Sequence, residues 1–594
     1  MAWRMSLGVG EEEKLGVDGA RKVARRTGRA LGAYRVRLIA ASTALITWTL
    51  LTLAGPLLVR RAIDRGLRVG DRTQLNITVA LYIVVALAAY ATYRLAIINL
   101  AHVGEGFLRD LRNQVFDRML KQSLSFFDRE KSGVLISRMT SDIDSLQDLV
   151  QFGLLMFVSA ALLLTLSAVV LAFLSWQLLA ICLITTPVIV AASIKFHRDS
   201  NRAYVAVRDN VGLTLNSLQE GISGVRIVQA FARERIEADR FAATNRALYL
   251  SHMDSVRIAA WYLPIIEFTG ALTTAVALGV GGVFVVKGII TLGTVAAFVL
   301  ILQTLFGPVQ QLSQLFNLVQ SATAALNKLF DLIDAPIEVD EAADAVALDG
   351  PGSIELDGVG FSYTNDPQDM ALTDIDLTIG AGERIAFVGP TGAGKSSLAK
   401  LVARFYDPTV GTVRVDGIDL TRAQNRSLRS KIVVVPQEGF LFSGTILDNI
   451  RIAKPAATDD EIRAAVERIG AAEIFDGLPD GLATEVQERG SRLSAGEKQI
   501  VSLARAALVD PAILILDEAT SSVDPGTEAL VENAMDSLMR SRTVIVIAHR
   551  LSTAARCDRV GVIVDGRLAE LGTHDELLTR GEHYTELFAA WSKS

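Results

Sequence analysis

The stretch RIAFVGPTGAGKSSLAKLV (384–402) has the residue types and spacing of a phosphate-binding loop, because Gly389, Gly394, Lys395 and Ser396 match G-x-x-x-x-G-K-S. A short apolar strand precedes the loop and a helix follows it, which is the context that the motif requires. Backbone N–H groups of such a loop approach the β-phosphate, the lysine neutralises β- and γ-oxygens, and the serine ligates Mg²⁺. The pattern predicts a site for ATP and Mg²⁺ formed by Gly389, Pro390, Thr391, Gly392, Ala393, Gly394, Lys395, Ser396 and Ser397.

A second candidate for this chemistry lies downstream, in AILILDEATSSVD (512–524). Its aliphatic run predicts a buried parallel strand that presents Asp517 at the carboxyl edge of the sheet, where such sheets place their sites. A carboxylate there can ligate Mg²⁺, and Glu518 beside it can orient or deprotonate the attacking water. Following a phosphate-binding loop, the pair predicts hydrolysis of the bound nucleotide.

A third stretch, SRLSAGEKQ (491–499), is a small-residue turn that opens an apolar, helix-spaced segment. The start of such a helix is suited to an anion, yet Glu497 lies in its first turn. The carboxylate could weaken an anion site by like-charge repulsion. Alternatively, Ser494 and Glu497 fit the S-x-x-E capping box, in which the glutamate satisfies a backbone N–H at the helix start. The sequence leaves both interpretations open.

Apolar runs fill the first half of the 594-residue chain, and six of them reach the roughly 20 residues that cross a bilayer. These runs are residues 38–59, 75–101, 152–174, 176–194, 263–286 and 289–309. Beyond about residue 345, hydrophobic residues come in short bursts between charges and turns, as in a soluble α/β domain. We therefore expect a membrane α-helical bundle of six spans, with long cytosolic extensions, fused to a P-loop α/β nucleotide-binding domain.

The predicted segments are a cytosolic N-terminal segment with an amphipathic elbow (1–37), a transmembrane domain (38–330), a linker (331–352) and a nucleotide-binding domain (353–594). The Arg-rich start precedes an apolar run too long for a signal-peptide core, so we expect an uncleaved first span. Arginine is also frequent between the second and third spans and between the fourth and fifth. RRAIDRGLRVGDR after the first span, with five arginines, argues for the opposite orientation. We place both termini inside, because the soluble half needs cytosolic nucleotide.

The two connections predicted to lie inside are long, at residues 103–151 and 195–262, and they have helical periodicity. Each is interrupted once, near SFFDREKSGVL and near SLQEGISG, which gives breaks near residues 126–133 and 211–221. An ordinary helical hairpin accounts for such breaks. With a nucleotide-binding domain on the same chain, they are also candidates for coupling helices that contact it.

Two charged residues fall inside the apolar runs, Arg94 and Glu267. A charge at the bilayer centre costs at least a few kcal/mol, so these residues are functional candidates. In the alternative interpretation, Arg94 reaches the interface or lines the bundle, and Glu267 lies near the inner face of a long helix.

Composition argues against two classes of protein, nucleic-acid-binding proteins and disulfide-stabilised proteins. A formal net charge of −6 and a pI near 5.7 give no support for nucleic-acid binding. Cys182 and Cys557 are the only cysteines, one inside a predicted span and one in the predicted soluble domain, so we expect no disulfide framework.

These motifs, in this order, resemble the ATP-binding-cassette exporters of the multidrug and lipid type, as a half-transporter with its membrane domain first. The resemblance extends from about residue 30 to residue 590. It implies that Tyr363 in GFSYTND stacks on adenine and that Gln437 in VVVPQEGF touches Mg²⁺ and senses the γ-phosphate. It also implies that His549 in VIVIAHRLST bonds to the γ-phosphate and that Asp524 crosses to a partner domain.

The third stretch then occupies the position of the family signature LSGGQ. The resemblance implies that Ser494 and Gly496 contact ATP held by the other subunit, whereas Ala495 and Glu497 depart from the pattern. Gln487, just upstream, stands where the family usually has glycine.

An intact Glu518 together with an altered signature resembles one half of the family's heterodimers, so we expect a heterodimer, with a homodimer as the alternative. The function implied is ATP-driven export of hydrophobic or amphipathic drugs or lipids across the cell membrane by alternating access. An ATP-gated channel or a non-translocating regulator would use the same nucleotide site and is the rival interpretation.

Overall fold

The computed structural model describes residues 25–591, except 365, 367, 438, 488–489, 518–524 and 549–550. The chain divides into two compact units. The first contains the residues up to Leu120 together with Ser132–Ala335, and the second contains Lys121–Lys131 together with the residues from Pro336 onward.

The first unit is helical wherever the structure describes regular elements in it. Its α-helices are α1 (Arg35–Arg61), α2 (Arg72–Leu120), α4 (Ser132–Ser137), α5 (Ile143–Asp148), α6 (Leu154–Cys182), α7 (Thr186–Ser223), α8 (Val225–Ala230), α9 (Glu234–Val286) and α10 (Leu292–Asp334). The intervening helix α3 (Leu124–Arg129) belongs to the second unit.

Four helical stretches among the described residues are long and apolar enough to cross a membrane: Arg25–Leu67, Arg72–Leu120, Leu155–Ser223 and Glu234–Val286. The third contains most of two predicted spans, 152–174 and 176–194, and Ser175 between them has non-helical backbone angles (φ −163°, ψ 103°). The last predicted span, 289–309, overlaps a shorter apolar helix, Leu292–Leu305. The count of six spans stays a prediction.

Both predicted interruptions are present. The first follows α2, which ends at Leu120, with α3 just beyond it. The second lies at Gly224 (φ −90°, ψ 7°), the last residue of SLQEGISG and a few positions beyond 211–221, because α7 continues unbroken to Ser223. A glycine inside a helix costs only about 1 kcal/mol, so α7 accommodates Gly221 and ends at the second glycine of EGISG.

The predicted linker, 331–352, is divided between the two units. Helix α10 runs to Asp334, whereas residues 336–352 pack within the second unit. Val346 pairs with the main chain at residues 422–424, and the buried guanidinium of Arg404 donates to the carbonyl of Asp340 at 2.8 Å. These main-chain and side-chain bonds join residues some 60 to 80 positions apart, which a local composition pattern cannot reveal.

The second unit is built on two sheets. Its strands are β1 (Ile354–Phe361), β2 (Leu372–Ile379), β3 (Arg384–Val388), β4 (Val410–Val415), β5 (Ile418–Asp419), β6 (Ile432–Val435), β7 (Ile513–Asp517), β8 (Thr543–Ile547), β9 (Arg559–Val564) and β10 (Arg567–Gly572). The first sheet is antiparallel in the order β2-β1-β4-β5. The second has the order β10-β9-β3-β8-β7-β6 and is parallel except for its edge strand β10.

Helices pack around the parallel sheet. They are α11 (Lys395–Val402), α12 (Asn425–Lys431), α13 (Ile446–Arg451), α14 (Asp459–Arg468), α15 (Ala472–Asp476), α16 (Ala495–Val509), α17 (Pro525–Met539), α18 (Leu551–Ala555), α19 (His574–Arg580) and α20 (His583–Trp591). Alternate residues of β3 enter two different apolar clusters, Ile385 and Phe387 on one face and Ala386 and Val388 on the other. The sheet is therefore buried on both faces, which explains the nearly continuous apolar runs of its strands.

Candidate active site

The loop between β3 and α11 requires glycine at two places. Gly389 has φ +148°, and a Cβ built on it would lie 2.1 Å from the carbonyl oxygen of Ile563. Gly394 has φ +110°, and its Cβ would lie 2.8 Å from the carbonyl oxygen of Ala371. Glycine at both positions lets the loop lie close to the neighbouring backbone. The loop ends at the first N–H groups of α11, where an anion is favoured.

Lys395, the first residue of α11, is held inside this loop. Its side chain donates to the carbonyl oxygens of Gly389 and Pro390, each at 2.8 Å, and the residue is only 6 % exposed. Burial lowers the pKa of the ammonium, and the negative charge of Asp517 opposes that change. The loop thus holds a cation against its own backbone, beside the carboxylate at the end of β7.

The residues predicted to ligate Mg²⁺ follow or adjoin the carboxyl ends of parallel strands. Asp517 ends β7, Gln437 lies two residues beyond β6, and Ser396 is in the first turn of α11 after β3. All three offer hard oxygen donors, the type that Mg²⁺ prefers together with phosphate oxygens. A single carboxylate suffices for such a site, because substrate phosphates and water supply the remaining ligands. The donor set fits Mg²⁺.

Tyr363, just beyond β1, borders the same helix. Its hydroxyl lies 2.9 Å from the hydroxyl of Ser397, in the first turn of α11. Its ring meets those of Phe361 and Tyr406 edge to face, with centroids 4.7 and 5.3 Å apart, and the residue is 38 % exposed. An aromatic face beside the phosphate-binding loop, partly open to solvent, is suited to stacking on a nucleotide base.

The helix that begins at the SAGE stretch, α16, carries a complete capping box. The Ser494 hydroxyl accepts from the backbone N–H of Glu497 at 3.2 Å, and the Glu497 carboxylate accepts from the backbone N–H of Ser494 at 2.7 Å. The capping interpretation of Glu497 is therefore confirmed. Ser494 and Ala495 are exposed at this helix start, whereas Gly496 is buried.

Gln487 adopts φ +56°, the left-handed region that glycine enters without steric cost. This conformation gives a physical reason for the family's preference for glycine at that position.

Several predicted site residues, Glu518, Asp524 and His549, lie outside the described residues. The side chains of Arg94 and Glu267 are exposed on α2 and α9.

Sequence reasoning did not identify Lys400 and Tyr406, which border the Tyr363 ring, or Asp128, which bonds to both of them. Asp128 lies more than 270 positions before Lys400, so no spacing pattern connects it to the other two.

Comparison with known proteins identifies the family to which this chain belongs. The family model for the ABC transporter transmembrane region matches residues 38–309, and a second family model, described as ABC transporter, matches residues 372–521. This chain belongs to the ATP-binding-cassette (ABC) transporters. It is accordingly a multi-pass membrane protein with an ATP-binding, ATP-hydrolysing domain, and it is a half-transporter that dimerises.

Relatives of this ABC transporter match it over most of its length. It is 37 % identical to an uncharacterised ABC transporter ATP-binding protein, YknV, of Bacillus subtilis, over 84 % of this chain and 83 % of the relative. It is 34 % identical to an ATP-dependent lipid A-core flippase of Desulfotalea psychrophila, over 93 % of this chain and 97 % of the relative. The solved structure of a bacterial Atm1-family ABC exporter with ATP bound superposes with a TM-score of 0.77 at 30 % identity, covering 94 % of this chain and 98 % of that one.

Proposed function

We propose that this ABC transporter uses ATP to export a hydrophobic or amphipathic molecule, a lipid or a drug, across the cell membrane. The long apolar helices support a substrate that partitions into the bilayer. The lipid A-core flippase among its relatives favours a lipid. The arginine distribution supports a cytoplasmic position for both termini and for the nucleotide-binding domain, where ATP is available.

The observation that carries the proposal is the location of α3. This helix is encoded between α2 and α4 of the membrane unit, yet it packs within the nucleotide-binding unit. Leu124 contacts the apolar cluster of that unit, and Asp128 pairs with Lys400 of α11 at 3.1 Å. A ligand that binds one arrangement of the nucleotide-binding unit more tightly than another shifts the population toward that arrangement. Because α3 packs in this unit and is joined by the chain to membrane helices, the shift is transmitted to those helices.

In this proposal the site residues have separate roles. Lys395 neutralises the phosphate oxygens, Tyr363 stacks on adenine, and the carboxylate of Glu518 orients or deprotonates the attacking water. His549 holds the γ-phosphate. Asp517, Ser396 and Gln437 would hold Mg²⁺, which when bound neutralises charge on the β- and γ-phosphate oxygens.

The second subunit completes each site by presenting its Ser494 and Gly496 to the nucleotide. We propose a heterodimer, because Ala495 and Glu497 replace the residues usual in the signature of a productive site. The homodimer is the second candidate, and the capping box favours it, since a carboxylate bonded to the start of its own helix can be retained for stability alone.

The proposal is tested by reconstitution of the native complex in proteoliposomes with fluorescent lipids and with amphipathic drugs. We expect ATP-dependent movement of one class, basal ATPase activity stimulated by that class, and loss of both with Glu518→Gln. Removing the general base should lower ATPase turnover roughly 10²- to 10⁴-fold and trap the ATP-bound closed dimer. Undiminished hydrolysis in Glu518→Gln would refute the assigned role, and ATP-dependent ion current without substrate movement would favour the channel.

A further inference from the structure

Asp128 of α3 is the centre of a four-residue group that contacts α11, the helix that follows the phosphate-binding loop. One of its carboxylate oxygens accepts from the hydroxyl of Tyr406 at 2.5 Å and from the ammonium of Lys400 at 3.1 Å. Burial alone would raise the pKa of this carboxyl, but the bonds from Tyr406 and Lys400 outweigh burial and hold the pKa below its usual value. The same contact, together with burial, raises the pKa of the Tyr406 hydroxyl. We call Asp128, Lys400, Tyr406 and Tyr363 the Asp128 cluster.

Lys400 connects the carboxylate to the aromatic rings. Its ammonium lies 5.3 Å from the ring centroid of Tyr363 and 5.5 Å from that of Tyr406. An ammonium within about 6 Å of a ring centroid is attracted by the negative charge of the ring face. Asp128 therefore fixes a cation that in turn attracts the ring of Tyr363.

Tyr363 is held on two sides by these contacts. Ser397 of α11 bonds to its hydroxyl, while Lys400, one turn further along α11, attracts its ring. The buried ring of Tyr406 meets it at an interplanar angle of 86°, a favourable edge-to-face arrangement. The orientation of the partly exposed Tyr363 ring is thus fixed by α11, the helix that begins at the phosphate-binding loop. Asp128 contributes through its bonds to Lys400 and Tyr406.

We propose that Asp128 is a positioning residue for nucleotide binding: through Lys400 and Tyr406 it orients the Tyr363 ring for the base of ATP. The proposal rests on the proposed role of Tyr363 in stacking on adenine. Because coupling between binding events is reciprocal, occupancy by the base also strengthens the hold of the cluster on α3. The first long connection of the membrane domain thereby senses the base as well as the phosphates.

Other contacts hold α3 in place without the cluster. Leu124 packs against the apolar cluster of the nucleotide-binding unit, and Arg129 forms an ion pair with Glu338. Replacement of Asp128 should therefore leave α3 in place. Glu338→Gln is a matched control, because it removes an ion pair between the same helix and the same unit without touching Tyr363.

The experiment measures KM for ATP and kcat in the assembled full-length transporter, with the affinity for inorganic tripolyphosphate as a probe that lacks a base. We expect Asp128→Asn and Lys400→Met each to raise KM for ATP roughly two- to fivefold, the range that corresponds to one cation–π contact. The affinity for tripolyphosphate and kcat should change little, and Glu338→Gln should match the wild type. In a Tyr363→Ala background, Asp128→Asn should have no further effect.

The inference would be overturned by an unchanged KM for ATP in Asp128→Asn or by equal weakening of ATP and tripolyphosphate binding. The same rise in KM in Glu338→Gln would also overturn it. Additive effects of Tyr363→Ala and Asp128→Asn would also overturn it, because the two residues would then act separately. Unchanged ATP affinity in Tyr363→Ala alone would remove the proposed role of Tyr363 and this inference with it. Weaker ATP binding in Tyr363→Ala, together with a wild-type KM for ATP in Asp128→Asn, would overturn this inference only and leave the proposed role of Tyr363 standing.

Discussion

Glu497 illustrates how one residue type can satisfy two different patterns. Its carboxylate bonds to the backbone N–H of Ser494, and the same reciprocal arrangement closes the starts of α13, α14 and α19. Capping accounts for the glutamate without any contact to nucleotide. Ser494, in contrast, is an exposed residue at a helix start, and we propose that it serves both as the cap and as a nucleotide contact.

This dual use predicts different outcomes for two equivalent caps. Ser494→Ala and Thr573→Ala each remove a capping hydroxyl, so each should lower the free energy of unfolding of the nucleotide-binding domain by about 1 kcal/mol. Only Ser494→Ala should also lower ATPase activity, since Thr573 caps α19 and has no proposed contact with nucleotide. Chemical denaturation and steady-state ATPase assays measure the two effects. Equal ATPase loss in both variants would mean that Ser494 acts through stability alone.

At the scale of elements, the π-helical segment Ala62–Leu67, which continues α1, bonds to the beginning of α10. The Asp64 carboxylate accepts from the hydroxyl of Thr291 at 2.5 Å and from the backbone N–H of Gly293 at 3.0 Å. It thereby satisfies one of the N–H groups that the first turn of a helix leaves unpaired. The close approach depends on Gly293, because a Cβ there would lie 2.6 Å from the carbonyl oxygen of Arg60.

We therefore expect Gly293→Ala to destabilise the membrane unit by about 1–3 kcal/mol, the usual cost of overpacking. Gly282→Ala is the matched control, since a Cβ at this helical glycine has open space around it and should be neutral or slightly stabilising. The thermal unfolding midpoint in detergent measures both. Equal midpoints for the two variants would show that the contact between Gly293 and Arg60 relaxes at no cost.

At the scale of the whole molecule, one chain contains each part of a nucleotide site, but the proposed arrangement draws Lys395 from one subunit and Ser494 from the other. A heterodimer then requires a different second chain. We expect this chain, produced alone, to hydrolyse ATP far more slowly than the native complex.

Pooled variants distinguish the two kinds of dimer. In a homodimer with shared sites, mixing Lys395→Ala chains with Ser494→Ala chains rebuilds one complete site, so ATPase activity would appear that neither variant has by itself. The heterodimer predicts no such recovery at any mixing ratio, and recovery would therefore contradict it. Mixed chains must be assembled together before the assay, with the wild-type chain alone as the reference.

Much of the architecture followed from the amino-acid sequence, including the loop and the strand that carry part of the proposed site. The phosphate-binding loop, the strand before Asp517 and the apolar runs are each contiguous, so their chemistry and periodicity are visible within a window of about 20 residues. The second interruption lies within the predicted stretch SLQEGISG, but the sequence did not determine which of its two glycines ends the helix, and α7 passes through Gly221 and ends before Gly224.

The sequence by itself determined that an apolar helical half is joined to an ATP-binding half, since both are properties of short continuous stretches. Only the tertiary structure showed that Glu497 closes a capping box, placed residues 336–352 in the nucleotide-binding unit, and brought Asp128 to Tyr406 and Lys400. The physical reason is the distance along the chain. Contacts such as Asp64 with Gly293 and Asp128 with Lys400 join residues more than 200 positions apart, and their partners are chosen by packing and not by local propensity.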